Sequence, residues 1–132
     1  DAHGEAGVVA IFAERMLRNQ EILIFGDGKQ QRDFVYVEDV VAANVLALKY
    51  GEGGTYNIGT GIGASVNDVF MLLSANTSYD RPPKHKSPRA GDVFQIWLEC
   101  SLAQRELGWQ AATSLQQGLE LTVASFSSVL TQ

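Results

Sequence analysis

Two arginines and one aspartate carry the chemistry that this sequence can be expected to perform. Arg32 follows the turn Gly26-Asp27-Gly28, and Arg89 and Asp92 follow a proline-rich stretch. A diphosphate carries several negative charges, and a guanidinium group binds its oxygens through paired, charge-assisted hydrogen bonds that lysine cannot reproduce. A nearby carboxylate can accept hydrogen bonds from ribose hydroxyls. These residues predict a nucleoside diphosphate site; the alternative is that both arginines form weak, solvated surface ion pairs.

Other kinds of site have little support in the sequence. His3 and His85 have no carboxylate partner at an evident spacing, and the lone Cys100 belongs to no Cys/His cluster of the kind that binds zinc. The glycine-rich run Gly59-Thr60-Gly61-Ile62-Gly63 lacks the spacing of the dinucleotide fingerprint and the acid that follows it about 20 residues later. We therefore expect no catalytic residue, no metal site and no cofactor site, and we interpret this run as a tight turn.

The length and composition of the chain indicate how many domains it forms and which kinds of partner it can bind. With 132 residues, of which 45% are apolar, the chain has the size of one domain, and we predict a single domain over residues 1–132. The formal net charge of -5 argues against nucleic acid as a partner. No apolar stretch approaches the roughly 20 residues that cross a bilayer, and the N-terminus is polar. We expect a soluble, cytoplasmic protein without a membrane partner.

The first half of the chain predicts two helices and three short extended segments. Residues 8–18 have helical apolar spacing. Ile22–Phe25 reads as a strand, and with the extended segment Asp33–Val37 it suggests a small hairpin-like pair. Asp39 stands where an N-cap would, ahead of a helix so continuously apolar that we expect it to be buried on more than one side. Thr55–Ile58 reads as a strand.

The second half predicts three more helices around a long loop. Ser65 and Asp68 begin a helix, Ser101 caps a short helix that Gly108 ends, and Ser114 caps the last one. Val93–Trp97 looks extended. The loop, residues 76–91, contains all three prolines and a basic group, namely Arg81, Lys84, His85, Lys86 and Arg89. The expected fold class is a small α/β domain with short strands and about five helices.

Six motifs in this order resemble one family. They are the helix Gly7-Val8-Val9-Ala10-Ile11-Phe12, the turn Ile24-Phe25-Gly26-Asp27-Gly28, the segment Arg32-Asp33-Phe34-Val35-Tyr36-Val37, Tyr56-Asn57-Ile58-Gly59, Arg89-x-Gly91-Asp92 and Leu107-Gly108-Trp109. Together they resemble the C-terminal substrate-binding lobe of extended short-chain dehydrogenase/reductases, the NAD-dependent nucleotide-sugar epimerases and dehydratases, and above all the UDP-glucose 4-epimerase-like members.

The resemblance implies roles for six residues. Arg32 and Arg89 would hold the nucleotide diphosphate, and Asp92 would hold the ribose. The strand Leu23-Ile24-Phe25 would form the base slot, where backbone groups read the uracil edge and Phe25 covers its face. For Phe25, plain core packing is the alternative.

The resemblance also implies what this chain needs from elsewhere. The family's reaction uses NAD and a Tyr-x-x-x-Lys pair, both carried by an N-terminal Rossmann domain, and this sequence has neither the dinucleotide loop nor that pair. We expect a lobe that binds a UDP-sugar or another NDP-sugar, binds no cofactor alone and is inactive alone. A separately encoded NAD-binding half and a homo-oligomer are further expectations.

Two alternatives to a sugar-nucleotide site stay open. One is a truncated domain that acts as a folding or oligomerisation module without a ligand. The other is a binder of phosphorylated partners through the basic loop, with Arg81, Lys84, Lys86 and Arg89 as its cations.

Overall fold

The structure, a computed structural model, describes residues 7–92, 94, 95 and 97–130. These residues form an α/β fold, and the predicted class with short strands and about five helices is confirmed. The helices are α1 (Val8–Leu17), α2 (Val37–Tyr50), α3 (Val66–Thr77), α4 (Ser101–Leu107) and α5 (Leu115–Leu130). The strands are β1 (Leu23–Phe25), β2 (Gln31–Arg32), β3 (Ala64–Ser65) and β4 (Lys84–Lys86).

The chain divides into two compact units. Unit 1 consists of Asp1–Gln30, Ser65–Phe94 and Leu119–Gln132, and unit 2 consists of Gln31–Ala64 and Gln95–Gly118. Each unit is therefore assembled from segments that are distant in sequence. The single domain over residues 1–132 stays a prediction.

Helices α1 and α3 form the core of unit 1. Val69 and Leu73 are completely buried and lie one turn apart on α3, so they share a face of that helix. Phe12 of α1 and Tyr79 each lie edge-on to the Phe70 ring, with ring centroids 6.2 Å apart in both pairs. Such edge-to-face pairs contribute about 0.5–1.5 kcal/mol beyond the burial of their area.

The predicted start of α3 is confirmed. Ser65 Oγ accepts a hydrogen bond from Asp68 N, and Asp68 Oδ2 accepts one from Ser65 N, each at 3.0 Å. The two side chains thus satisfy backbone donors that the first turn of a helix leaves unpaired.

The predicted pairing of Ile22–Phe25 with Asp33–Val37 in a hairpin-like unit is wrong. β1 pairs with β4, and the two strands run parallel with Leu23 opposite Lys84. Parallel neighbours require a long crossover connection, and the chain between them contains α3. An apolar run reveals a strand, but the choice of partner is decided by contacts distant in sequence.

Two other predicted segments differ from the structure. The predicted loop over residues 76–91 contains the end of α3 and the whole of β4, and Thr55–Ile58 forms no strand. In the predicted segment Val93–Trp97, Val93 and Ile96 lie outside the described residues, as does His3, and Gln95 makes a single parallel bridge to Gln31.

Unit 2 is built on α2 and α4. Its core joins Ala43 of α2, Ala103 and Leu107 of α4, and Trp109, each less than 5% exposed. Trp109 Nε1 donates to Asp39 O at 2.8 Å, which satisfies the indole N–H inside the core.

Asp39 does not cap α2 as predicted. The N-cap is Tyr36, and Asp39 is the third residue of the helix. Its buried Oδ2 instead accepts from the backbone N–H groups of Ala112 and Thr113, at 3.3 and 3.1 Å. The carboxylate fastens the segment before α5 to the first turn of α2.

The expected burial of α2 on more than one side is also wrong for the described residues. Ala43 faces the core, whereas Val41 and Val45 remain 53% and 48% exposed. The helix therefore carries apolar side chains on a face that no described element covers.

The remaining helix ends follow the predictions in part. Ser101 is the first residue of α4 and not its cap, and its N–H donates to Glu99 Oε1 at 3.0 Å. Gly108 ends α4 in the left-handed conformation, with φ 67°. Ser114 Oγ accepts from Gln117 N at 3.1 Å and so caps α5 as predicted.

The turn after β1 generates a first testable prediction. Gly28 has φ +76°, and a Cβ there would collide with the Asn67 side chain, whose Nδ2 donates to Asp27 O at 2.9 Å. Gly53 has a similar φ of +74°, with no atom within 4 Å of an added Cβ. We expect Gly53→Ala to cost about 1–2 kcal/mol through backbone strain alone and Gly28→Ala about 1–3 kcal/mol more. Urea unfolding measures both, and equal losses would contradict the packing role of Gly28.

Candidate functional site

A cleft in unit 1 is the candidate site. It has a volume of about 860 Å³ and is open to solvent. Its walls come from the end of β1 with the following turn, from β4, and from the segment after β4. We call it the basic cleft, and its lining residues are Phe25, Gly26, Asp27, Gln30, His85, Lys86, Pro88, Arg89, Asp92 and Phe94.

Three of the six predicted site residues line this cleft. Phe25, Arg89 and Asp92 come together there although they are far apart in sequence. Leu23 is half-buried and Ile24 is only 1% exposed, so a ligand could reach Ile24 only through its backbone. That is the kind of contact predicted for the base slot, and it stays a prediction.

Arg32 belongs to the other unit. In unit 2 its Nη1 donates to Gln31 O at 2.7 Å. The structure therefore brings Arg89 and Asp92 into one cleft, while the role of Arg32 stays a prediction from the sequence pattern.

Arg89 lies over the ring of Phe25. Its guanidinium carbon is 4.1 Å from the ring centroid, a cation–π contact. The contact anchors the cationic group of Arg89 at the wall of the cleft. It also uses one face of Phe25, so a base could cover only the other.

Hydrogen bonds of side chains to the backbone fix the turn at the end of β1. Gly26 O accepts from His85 Nδ1 at 2.7 Å, and Phe25 O accepts from Gln30 Nε2 at 3.1 Å. Because a carbonyl can only accept, Nδ1 of His85 carries the proton, and Nε2 is the acceptor of the neutral ring. The turn that forms the cleft floor is therefore tied to β4.

The cations of the basic segment differ in what they contact. Lys84 Nζ lies 2.7 Å from Glu21 Oε2, and Arg81 Nη1 donates to Asn19 O at 2.6 Å. The hydrogen bond and the charge of Lys84 lower the pKa of Glu21. Lys86 and Arg89 line the cleft instead. A phosphorylated partner would therefore not meet four equivalent cations, which weakens the basic-loop alternative.

Sequence reasoning missed several lining residues of the cleft. Lys86 was predicted only as a cation of the basic-loop alternative, His85 was given no binding role, and Gln30 and Phe94 were not singled out. The signal for His85 and Lys86 lies in the parallel register, which sets them beside Ile24 and Phe25. A single sequence does not contain that register.

The glycine-rich turn in unit 2 does not offer a phosphate cradle. The carboxylate of Asp33 accepts from Thr60 N at 2.8 Å, Thr60 Oγ1 at 2.6 Å, Gly61 N at 2.8 Å and Leu98 N at 3.1 Å. An internal anion thus occupies the N–H groups that a phosphate would need. This supports the interpretation of the run as a tight turn, and these residues do not fit a dinucleotide.

Among residues 7–92, 94, 95 and 97–130, the other reactive groups form no second site. Burial raises the pKa of the Cys100 thiol, and the charges of Asp33 and Glu99 act in the same direction, so the thiol stays protonated at neutral pH. In the described part of the chain, no group of His, Cys, Asp and Glu side chains could hold a metal ion. Over the same residues, no helix has the length and apolar character needed to span a membrane.

The first prediction from this subsection concerns Asp33. Burial tends to raise its pKa, but the hydrogen bonds from Thr60, Leu98 and Gly61 outweigh burial, and the pKa lies below its usual value. A carboxyl with a lowered folded-state pKa stabilises the fold above its unfolded pKa of about 3.9, and this contribution is lost as the pH falls through the folded value. We expect Asp33→Asn to cost about 1.5–3 kcal/mol at about pH 7.

Urea unfolding at about pH 7 and about pH 3 checks this expectation, because the difference between wild type and variant should shrink at the lower pH. The matched control is Asp27→Asn, since the Asp27 side chain accepts a local bond from Lys29 N, at 2.9 Å, and that bond is exposed to solvent. A difference independent of pH would refute the role of the Asp33 charge.

A family model and a curated relative both match this chain. The model of the NAD dependent epimerase/dehydratase family matches residues 1–59. The UDP-glucose 4-epimerase of Mycolicibacterium smegmatis is 40% identical over 127 residues, which are 96% of this chain and 41% of that protein.

Solved structures agree. The UDP-glucose 4-epimerase of Thermotoga maritima, crystallised with UDP-glucose, matches with a TM-score of 0.94 and 53% identity over 98% of this chain and 42% of that chain. The Thermus thermophilus UDP-glucose 4-epimerase in complex with NAD matches with a TM-score of 0.84 and 38% identity, over 96% of this chain and 42% of that chain. The chain thus spans about two-fifths of the length of these relatives.

Proposed function

Because the chain belongs to the NAD dependent epimerase/dehydratase family, we propose that it binds the nucleotide part of a UDP-sugar or another NDP-sugar in the basic cleft. The observation that carries this proposal is the position of Arg89. Its guanidinium group is held against Phe25 at the wall of an open cleft, beside Lys86 and Asp92.

The diphosphate is the part of the ligand that these side chains fit best. Arg89 and Lys86 supply two positive charges to a cleft whose lining also contains the carboxylates of Asp27 and Asp92. The cation–π contact with Phe25 positions the arginine before the ligand arrives, so less side-chain freedom is lost on binding. Bidentate hydrogen bonds to phosphate oxygens then provide both affinity and orientation.

The nucleoside is assigned to the other side of the cleft. Asp92 can accept from ribose hydroxyls, and the backbone of β1 can contact the base edge. The half-buried ring of Phe25, which lines the cleft, and the ring of Phe94, which is 59% exposed, are the aromatic surfaces on which we propose that a base stacks. Arg32 is proposed as a second diphosphate ligand on the strength of its sequence motif alone.

The chemical step is assigned to residues outside this chain. NAD is present in the structure of the Thermus thermophilus relative, but the glycine-rich turn here has its amides bound to Asp33. No tyrosine in residues 1–132 is followed by a lysine four positions later. We propose that this chain alone binds no NAD and does not epimerise a sugar nucleotide.

Ligand titration tests the role of Arg89. We expect calorimetry to detect binding of UDP-glucose and UDP but not of NAD alone. Arg89→Ala should weaken UDP binding about 10–100-fold, because it removes hydrogen bonds to a charged group. Arg89→Lys should recover only part of the loss, because it keeps the charge and loses the planar fork.

Arg105→Ala is the matched control for this experiment. Arg105 is exposed and donates to Ser101 Oγ in α4, in unit 2. Its removal should leave UDP affinity unchanged. No UDP binding by the wild type, or equal affinity of wild type and Arg89→Ala, would refute the proposed site.

Two lysines of β4 provide a second, independent comparison. Lys86 lines the cleft, whereas Lys84 forms an ion pair with Glu21. We expect Lys86→Met to lower UDP affinity about 3–10-fold, with a smaller loss at high salt because the lost contact is electrostatic. Lys84→Met should leave the affinity unchanged. Equal losses in both variants would favour a diffuse basic surface, as in the basic-loop alternative.

A further inference from the structure

The ring of His85 has a tautomer that the fold fixes. His85 lies on β4, opposite Ile24 of β1 in the parallel register, and it lines the basic cleft. Its Nδ1 lies 2.7 Å from Gly26 O, and because a carbonyl oxygen only accepts, Nδ1 carries the hydrogen of the uncharged ring. Nε2 is then a hydrogen-bond acceptor. Within the described part of the chain Nε2 has no hydrogen-bond partner, so this edge of the exposed ring remains for a ligand.

A hydrogen-bond acceptor at this place distinguishes the pyrimidine bases by their N3 atom. N3 of uracil and of thymine carries a hydrogen and donates, whereas N3 of cytosine carries none and accepts. Two acceptors that face each other both stay unpaired after losing the water that each had bound. A site that reads a ligand through such a group rejects a mismatched analogue more strongly than a site that reads size alone.

We propose that His85 is a specificity-determining residue of the basic cleft, whose Nε2 accepts a hydrogen bond from N3–H of a uracil or thymine base and so disfavours cytidine nucleotides. The register supports this placement, because His85 lies beside the middle residue of the strand that is proposed to contact the base edge. The diphosphate is assigned to Arg89 and Lys86, which leaves the ring of His85 to the nucleoside. The inference rests on the proposed function, since it requires a nucleotide in the basic cleft.

Protonation of the ring reverses what His85 can read. A charged imidazole donates from both nitrogens, so Nδ1 keeps its bond to Gly26 O, while Nε2–H now matches N3 of cytosine and no longer N3–H of uracil. The charged side chains on the elements that meet at this ring are Asp27 of the turn, Lys84 and Lys86 of β4, Glu21 paired with Lys84, and Arg89 and Asp92 after β4. Strand β1 carries no charged residue. Of carboxylate, ammonium, guanidinium and imidazole groups, only the imidazole ordinarily changes charge between about pH 5 and 8. The preference for UDP over CDP should therefore fall as the pH is lowered through this range.

Calorimetric titration of UDP and CDP into the wild type and His85→Asn, at about pH 8 and about pH 5.5, tests this assignment. Asparagine places its amide nitrogen near the position of Nδ1, so it can keep the bond to Gly26 O, but it has no atom in the place of Nε2. At about pH 8 we expect the wild type to bind UDP about 10-fold more tightly than CDP, and His85→Asn to lower this ratio about 3–10-fold. At about pH 5.5 the wild-type ratio should fall by a similar factor, and the ratio of the variant should not change with pH. The diphosphates of the two ligands titrate alike, so their own charge cancels in the ratio.

Lys84→Met is the matched control, because Lys84 lies on the same strand and is paired with Glu21. It should leave the ratio of UDP to CDP affinity unchanged at both pH values. Equal ratios in the wild type and His85→Asn, or a wild-type ratio independent of pH, would overturn the role of His85 and leave the UDP site itself intact. No binding of UDP by the wild type would remove the proposed site and the role of His85 together.

A long-range ¹H–¹⁵N NMR spectrum of the histidine rings tests the tautomer without a substitution at His85. At about pH 8 we expect the ring hydrogen of His85 on Nδ1 and none on Nε2. UDP should shift the Nε2 resonance, and inorganic pyrophosphate, which has no base, should shift it far less. The other histidine of the chain is His3, whose signals are removed by His3→Ala. A hydrogen on Nε2 in the free protein, or an Nε2 resonance that UDP does not move, would refute the proposal.

Discussion

The parallel pairing of β1 with β4 is the interaction on which the basic cleft depends. Gly26 N donates to Lys86 O at 2.8 Å, which continues the pairing past the last residue of β1. The register places a lysine-rich strand beside an apolar one and delivers Arg89 to the ring of Phe25. The pairing thus brings Lys86 and Arg89 to the same cleft in a chain whose formal net charge is -5.

Local signals in the sequence predicted local structure well. The Ser65 and Asp68 capping box, the left-handed Gly108 and the Ser114 cap each involve groups within a few residues of one another, so the sequence contains all the information that they require. The partner of β1 depends on residues about sixty positions away. Competition between such distant partners is settled by packing, which a local pattern does not describe.

Two carboxylates of unit 2 bind backbone N–H groups that the sequence pattern could not predict. Asp39 stands where a cap is expected and instead binds the N–H groups of Ala112 and Thr113, and Asp33 binds those of Thr60, Gly61 and Leu98. Both acids satisfy loop amides that have no strand partner. In this way irregular segments keep a defined shape without a β-ladder. The sequence shows such an acid but not the distant loop that it holds.

Helix α2 shows how a correct pattern can give a wrong expectation. Its continuous apolar character predicted burial on more than one side, and the described structure covers only the face around Ala43. Burial on both faces requires two layers, and the relatives that match this chain have more than twice its length. The pattern along α2 is therefore consistent with a helix between two layers. Within the described residues, Val41 and Val45 stay exposed because only the face around Ala43 is packed.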